Sequence, residues 1–362
     1  MQKILMILRL LIFIPQILFA NTLITEPNEG LYPISQNLQS AHKIDLAIYG
    51  LTEKTALNAL IAAQRNGKVL RVLIQARPYK AETENNFALQ NLNTYAIPVH
   101  FPDARFQLLH QKTFILDDQK AIIMTFNLTH ATFTNERNFA VIDDGKNEVK
   151  EISAVFNADW LHQAITPQEK NLVWSPDNSR AKILNLIATA KVRLQIYAES
   201  VSDYAIVGAL AKAAKRGVDV AILTSLQKRQ TPNRKFGFLQ KSGVKIYFSH
   251  HLYVHAKVMI VDNQLALLGS VNFTQNSLDK NRELSVILHD APIVHQLQKI
   301  FIADLNDNRL NEYSGYQKLP FLMLKAIKKF KSAYHFESTS TRKRYPHHKH
   351  HRHHAFAYQH IV

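Results

Sequence analysis

The pattern that most limits what this chain can fold into is short and occurs twice. His110-Gln111-Lys112 is followed, after four intervening residues, by Asp117 and then by Met124-Thr125-Phe126-Asn127. His255-Ala256-Lys257 is followed by Asp262 and Gly269-Ser270-Val271-Asn272. In each copy the Lys lies two, the Asp seven and the Asn seventeen positions beyond the His. A lone His-x-Lys carries almost no information, whereas two copies with matching downstream partners imply a duplicated unit. The surrounding chain agrees: Gly67 and Gly217 lie 150 positions apart, Tyr49 and Tyr197 148, and the two His 145.

Lys112–Asp117 and Lys257–Asp262 are aliphatic, β-branched runs, which places each motif on a strand. Strand side chains alternate between faces, so a His and a Lys two apart present an imidazole and an ammonium to one surface. A hydroxyl (Thr125 or Ser270) and an amide (Asn127 or Asn272) arrive from the following turn. Each copy is half of a phosphate site, and two halves facing each other would bracket a phosphodiester. Seven is an odd offset, so Asp117 and Asp262 should point away from the imidazole face and hold the next turn.

These residues are similar to the phospholipase D superfamily, marked by a duplicated His-x-Lys-x4-Asp followed by Gly-Ser-x-Asn. The resemblance runs from about Ser40 to Ile287 and is closest in the second copy, down to Phe273-Thr274 and Asn281-Arg282-Glu283. The first copy departs from it in having Met124-Thr125 for Gly-Ser, and Asn138 where the second copy has Glu283. The resemblance implies an α/β fold of two tandem sandwich domains related by a pseudo-twofold axis, with the active site at their interface. It also implies attack on phosphorus by one imidazole, giving a phosphohistidine, while the other protonates the leaving alkoxide. Lys112, Lys257, Asn127 and Asn272 would stabilise the non-bridging oxygens, with Ser270 and Thr125 in support. No cofactor and no metal is expected, since two ammonium groups supply the charge and would repel a cation. Within this scheme Glu283 is expected to accept from His255 and raise its pKa, leaving His110, beside neutral Asn138, as nucleophile.

The predicted domains are residues 21–165 and 179–310, joined by a linker at 166–178 that holds Pro167 and Pro176. Residues 21–37 read as a polar lead-in. Strand–helix–strand units follow, with Thr52-Glu53-Lys54 opening one helix and Asn66-Gly67 closing it. Residues 1–20 fit an export signal: Lys3, an apolar stretch to Phe19, and Ala20 at the cut, with Arg9 and Pro15 arguing against a spanning helix. The tail, 311–362, contains Leu319, Leu322, Met323, Ala326, Ile327 and Phe330 on one helical face, with Lys325, Lys328 and Lys329 largely off it. That pattern suits an anionic membrane surface or docking on the second domain. A His-rich basic end follows, which reads as disordered.

The chain has no cysteine, which excludes disulfides and thiol chemistry. Its net charge of +16 favours an anionic partner, but the last 52 residues hold ten Lys and Arg against two acids, so half the excess lies in the tail. The expectation is an exported enzyme, periplasmic or secreted, that hydrolyses glycerophospholipids to phosphatidic acid and a free headgroup alcohol. The alternatives are a metal-independent endonuclease acting on nucleic acid and a non-catalytic phosphate- or membrane-binding protein; no protein partner is predicted. Isolated histidines (His130, His162, His250, His251) read as structural.

Overall fold

The computed structural model describes residues 21–225 and 234–308. The first half runs β1 (Thr22–Glu26), α1 (Tyr32–Ser40), β2 (Lys43–Ile48), α2 (Lys54–Arg65), β3 (Val69–Ile74), α3 (Asn86–Thr94), β4 (Val99–His100), β5 (Thr113–Leu116), β6 (Lys120–Met124), β7 (Glu136–Asp143) and α4 (Lys146–Trp160). The second runs β8 (Leu172–Ser175), α5 (Ser179–Thr189), β9 (Arg193–Ala198), α6 (Tyr204–Lys215), β10 (Asp219–Ser225), α7 (Arg234–Lys241), β11 (Lys245–Ser249), β12 (Tyr253–Val254), β13 (Lys257–Val261), β14 (Leu265–Gly269), α8 (Gln275–Asp279), β15 (Glu283–Leu288) and α9 (Ala291–Asn308).

The strands form two mixed sheets. One has the order β1-β7-β6-β5-β2-β3-β4 and the other β8-β15-β14-β13-β9-β10-β11. Place for place the two orders are the same, so the duplication is complete in topology and the chain is two tandem α/β domains. The crossovers β2–α2–β3 and β9–α6–β10 connect parallel pairs. Each helix is capped by an acid, Glu53 or Asp203, whose carboxylate accepts a backbone N–H of the first turn. Each is closed by Gly67 or Gly217 at φ 77° or 92°, a left-handed conformation that costs glycine little.

Three apolar clusters hold the structure. Ala56, Leu57 and Leu60 of α2 pack with Ile44, Leu46 and Ile48 of β2 on the outer face of the first sheet. Val207 and Leu210 of α6 pack with Leu194 and Ile196 of β9 in the second. The third is shared: Ile123, Phe139 and Val141 from the first sheet join Tyr197, Val258 and Leu268 from the second, with Phe156 of α4 and Phe301 of α9. The inner faces of both sheets therefore bury one continuous core, which fixes the halves against each other.

The segment leading into each motif leaves its own sheet and crosses over. Leu109 pairs with Arg282, and the amide of His110 donates to the Arg282 carbonyl at 2.9 Å. Likewise β12 pairs in parallel with Glu136 and Arg137 of β7, and the His255 and Ala256 amides donate to the Arg137 carbonyl. The two arginines are themselves locked across the halves. Arg282 of the second half forms a bidentate pair with Asp159 of α4 (2.7 and 2.8 Å), and Arg137 of the first with Asp304 of α9 (2.7 and 2.9 Å).

Three expectations about organisation change. The lead-in at 21–37 is structured: β1 is the edge strand of the first sheet and α1 follows it. The stretch 166–178 is not only a linker, because it supplies β8, the edge strand of the second sheet. Nor are Tyr49 and Tyr197 equivalent. Ala47 lies opposite Thr113 and Tyr197 opposite Val258, so Tyr197 matches Ala47 and the counterpart of Tyr49 is Glu199. The export signal (1–20), the amphipathic helix and the His-rich tail lie outside the described residues.

Candidate active site

Both motifs are built by the same local geometry. In each, the Lys ammonium curls back to the carbonyl of its own His at 2.5 Å, so imidazole and ammonium share one face as the alternation requires. Lys112 and Lys257 are almost wholly buried, and His110 and His255 keep 14% and 11% of their side chains exposed, a narrow opening onto otherwise sealed groups. Asn127 and Asn272 follow, each with a side-chain oxygen that is buried and has no protein partner. The half-sites touch, since the Lys257 ammonium lies 3.4 Å from the Thr125 carbonyl of the other half. They also share one field: the positive charge of Lys257 lowers the pKa of His110, and Lys112 lowers that of His255.

The residues that orient the imidazoles come from the opposite half, and here the expectation for Glu283 is corrected. Glu283 accepts not from His255 but from His110, with Nδ1 to Oε2 at 2.9 Å. His255 is paired with Asn138, Nδ1 to Oδ1 at 3.2 Å. The physical reason is the crossover described above: each His is delivered to the start of the other half's strand β15 or β7, where Glu283 and Asn138 sit. An assumption that motif residues serve their own repeat had hidden this.

Each partner is held in turn. The other carboxylate oxygen of Glu283 accepts from Ser277 at 2.5 Å and from Asn281 at 3.0 Å. Asn138 has its orientation set by two neighbours. The Thr125 hydroxyl accepts from the Phe139 amide and donates to Asn138 Oδ1, both at 2.9 Å, while Asn138 Nδ2 donates to Glu136 at 3.0 Å. With Oδ1 thereby fixed as an acceptor, His255 must carry its proton on Nδ1, which leaves the lone pair on Nε2, 3.3 Å from the Lys257 ammonium. The carboxylate present at Glu283 in one half has been displaced by two residues, to Glu136, in the other.

The hydroxyls have work other than the expected support of phosphate oxygens. Thr125 fixes Asn138, and Ser270 bridges the backbone of Leu284, accepting its N–H at 3.1 Å. The Gly269/Met124 difference also has a packing reason. A side chain on Gly269 would come within 2.4 Å of the Leu284 carbonyl and the Ser285 Cα, whereas Met124 is buried in register with the smaller Ala140. Asp117 and Asp262 bind no part of the site. Each takes a left-handed φ (55° and 51°) in the hairpin turn and accepts backbone amides at the start of the neighbouring strand: His42 and Lys43, or Lys191, Val192 and Arg193.

Two residues beside the imidazoles were missed. The Glu199 carboxylate is 2.6 Å from the Lys257 ammonium, accepts from Asn272 Nδ2 at 3.1 Å and lies 3.7 Å from His255 Nε2. At the equivalent place in the first half, the Tyr49 ring stands edge-on to His110, with centroids 4.9 Å apart, and lies 5.1 Å from the Lys112 ammonium. The available signal was their shared position, immediately after the second strand of each repeat, where chain ends converge on a site. The duplicated tyrosines at 148 spacing pointed to the wrong partner.

Burial pushes the His255 pKa down to about 3, with Lys257 adding to the fall. Burial also lowers His110, but there the Glu283 carboxylate opposes it. For Glu199, burial alone would raise the pKa, and the charges of Lys257 and His255 more than reverse this, holding it below the usual carboxylate range. Lys112 falls well below its ordinary value through burial and the nearby Lys257. Among the described residues, no group of three His, Cys, Asp or Glu could hold a metal ion.

Comparison with known proteins agrees with this architecture. The family described as "Cardiolipin synthase, PLD-like domain" matches residues 34–160 and 183–305, one segment in each half. The chain is 32% identical over 130 residues to a cardiolipin synthase of Geobacillus kaustophilus, covering 33% of this chain and 25% of that protein. It is 26% identical over 291 residues to cardiolipin synthase 2 of Bacillus anthracis, covering 69% and 56%. The chain thus spans from a quarter to about half the length of these curated relatives. Among solved structures, phosphatidylserine synthase of Haemophilus influenzae shares the fold with a TM-score of 0.63 at 13% identity, over 88% of this chain and 94% of that one. Two repeats in one chain, each matched by the same family and each contributing one His-x-Lys to a shared site, make this protein a member of the phospholipase D-like family.

Proposed function

We propose that the chain is a phospholipase D-type phosphodiesterase acting on glycerophospholipids, with His255 as nucleophile and His110 as general acid and base. The observation that carries the role assignment is the unequal partnering of the imidazoles. His255 has a neutral amide on Nδ1 and a low pKa, so Nε2 is available to attack. His110 has a carboxylate on Nδ1, which favours its protonated form. Two chemically identical side chains must differ in this way before one can attack while the other donates a proton.

In the first step the His255 Nε2 lone pair forms a bond to phosphorus as the bond to the headgroup oxygen breaks, and His110 gives its proton to that oxygen. In the second, His110 takes a proton from water, the hydroxide oxygen bonds to phosphorus and the phosphorus–nitrogen bond breaks. Lys112, Lys257, Asn127 and Asn272 donate to the non-bridging oxygens as their charge grows. This reverses the roles expected from the sequence, by the same argument applied to the partners the imidazoles have.

A lipid substrate is supported by the relatives, named as cardiolipin and phosphatidylserine synthases. Those names favour a second acceptor as well: an alcohol in place of water, which would transfer the phosphatidyl group rather than release phosphatidic acid. Export, expected from residues 1–20, belongs to the proposal and is checked by cell fractionation.

The test uses the full chain in chelator with headgroup-labelled phospholipid vesicles, with and without added glycerol, and separately with plasmid DNA. Headgroup release that vanishes in His110→Ala and His255→Ala supports the proposal, and the product formed with glycerol identifies the acceptor. Nicking of DNA without lipid turnover sinks it in favour of a nuclease.

A further inference from the structure

We propose that Glu199 is a charge filter: it makes the site accept phosphodiester monoanions and disfavour phosphomonoester dianions, so the phosphate-bearing product is expelled. This rests on the phosphodiesterase reading and adds a specificity residue to it.

The placement of the carboxylate carries the argument. Its Oε2 contacts the Lys257 ammonium, Asn272 Nδ2 and, more loosely, His255 Nε2, at 2.6, 3.1 and 3.7 Å. The first two are donors that a non-bridging phosphoryl oxygen would use, and the third is the nitrogen that would attack phosphorus, so a carboxylate oxygen already stands at the seat of such an oxygen. Twenty-five per cent of the Glu199 side chain remains exposed, more than of either imidazole. A negative group at the heart of an anion site lowers affinity for every anion, and it needs a reason to be there.

The first half shows that the fold does not require it. The same structural place is held by Tyr49, an uncharged ring that packs on His110 and faces Lys112. Substitution of an aromatic by an acid at one of two equivalent places turns a symmetric anion clamp into one with a single fixed negative charge. A fixed charge repels a ligand in proportion to the ligand's own charge. A diester carries one negative charge and a monoester approaches two above its second pKa of about 6. When water is the acceptor, reactant and product differ in just this respect, and the site is buried enough that salt screens the difference little.

A plain structural role would predict something else. If Glu199 only braces Lys257, removing it loosens the ammonium and weakens both ligands alike. The experiment is calorimetric binding to the full chain, with His255→Ala present in every protein compared so that no turnover occurs, using glycerol 1-phosphate as monoester and glycerophosphoglycerol as diester, at pH 8 and pH 5.

In Glu199→Gln, and in Glu199→Ala as a second variant, diester affinity at pH 8 should rise about three- to tenfold and monoester affinity by about the square of that factor. At pH 5, where the monoester has one charge, the two factors should converge. Equal factors at pH 8, or a loss of affinity for both ligands, overturns the filter while leaving the phosphodiesterase reading intact. If the protein with Glu199 intact binds neither ligand, the phosphate site itself is wrong and both proposals fall. Thermal unfolding of each variant confirms that a folded protein was measured.

Discussion

The two half-sites carry the same imidazole, ammonium and amide, yet their surroundings are almost complementary. Where the second half has Glu283, Asn281 and Glu199, the first has Asn138, Glu136 and Tyr49. Even the edge strands follow suit: Ser175 lies opposite Glu283, and the buried Glu26 lies opposite Asn138. The difference teaches how a duplicated protein obtains unequal catalysts. The His, Lys and Asn stay identical, and the carboxylates move among the neighbouring places, some direct against an imidazole and some one hydrogen bond away. Because the halves exchange partners, changing one repeat alters the imidazole supplied by the other.

The largest effect should come from removing the proposed nucleophile. His255→Ala is expected to lower kcat by about four orders of magnitude or more with any substrate. His110→Ala should still form the phosphoenzyme with a nitrophenyl ester, whose leaving group needs no proton. Mass spectrometry of the trapped protein should find phosphate on the peptide containing His255; phosphate on His110 would break the comparison outright.

Next come the orienting carboxylates. Glu283→Gln should reduce kcat by about a hundredfold, because His110 loses the charge that stabilises its protonated form. Since Glu283 raises the His110 pKa, its removal should also move the alkaline limb of the rate profile to lower pH. Glu136 hydrogen-bonds Asn138 and stands 3.9 Å from His255 Nδ1, farther than Glu283 from His110, so Glu136→Gln should cost about tenfold. A Glu136→Gln effect as large as that of Glu283→Gln would mean the displaced carboxylate is not displaced in function.

The two cross-half arginines sharpen the comparison in stability. Arg282→Met leaves Asp159, 4% exposed, with only the looser Arg105 guanidinium at 3.7 Å, and should cost about 3 kcal/mol in chemical denaturation. Arg137→Met, whose pair is 10% and 15% exposed, should cost less.

The last prediction is a pH dependence. Burial raises the Glu26 carboxyl from 4.5 to about 8. The folded state then holds a proton that the unfolded chain has released, so this group makes stability fall as pH rises from about 4.5 to about 8. Glu26→Gln should be near neutral at pH 4 and stabilising at pH 8, read from unfolding midpoints at both.

Much was legible from residue spacing. The equal offsets from His to Lys, Asp and Asn gave the duplicated site, and the odd position of Asp117 and Asp262 gave their turn role, because strand alternation is a local rule. Helix ends at Gly67 and Gly217 were equally local. What failed depended on contacts between distant segments. Thr22–Glu26 and Leu172–Ser175 are short and each runs into a proline, and only their pairing with β7 and β15 makes them strands. Glu199 sits in a polar stretch with nothing to distinguish it, until the fold sets it against Lys257.

The sequence by itself determined that two like units, each bearing an imidazole, an ammonium and an amide, would build a phosphate site, since those groups are fixed by period and spacing within a strand. Only the tertiary structure decided which carboxylate serves which imidazole. That choice arises where the chain leaves one sheet to pair with the other, and no local pattern records a hydrogen bond formed between His110 and Glu283, 173 residues apart.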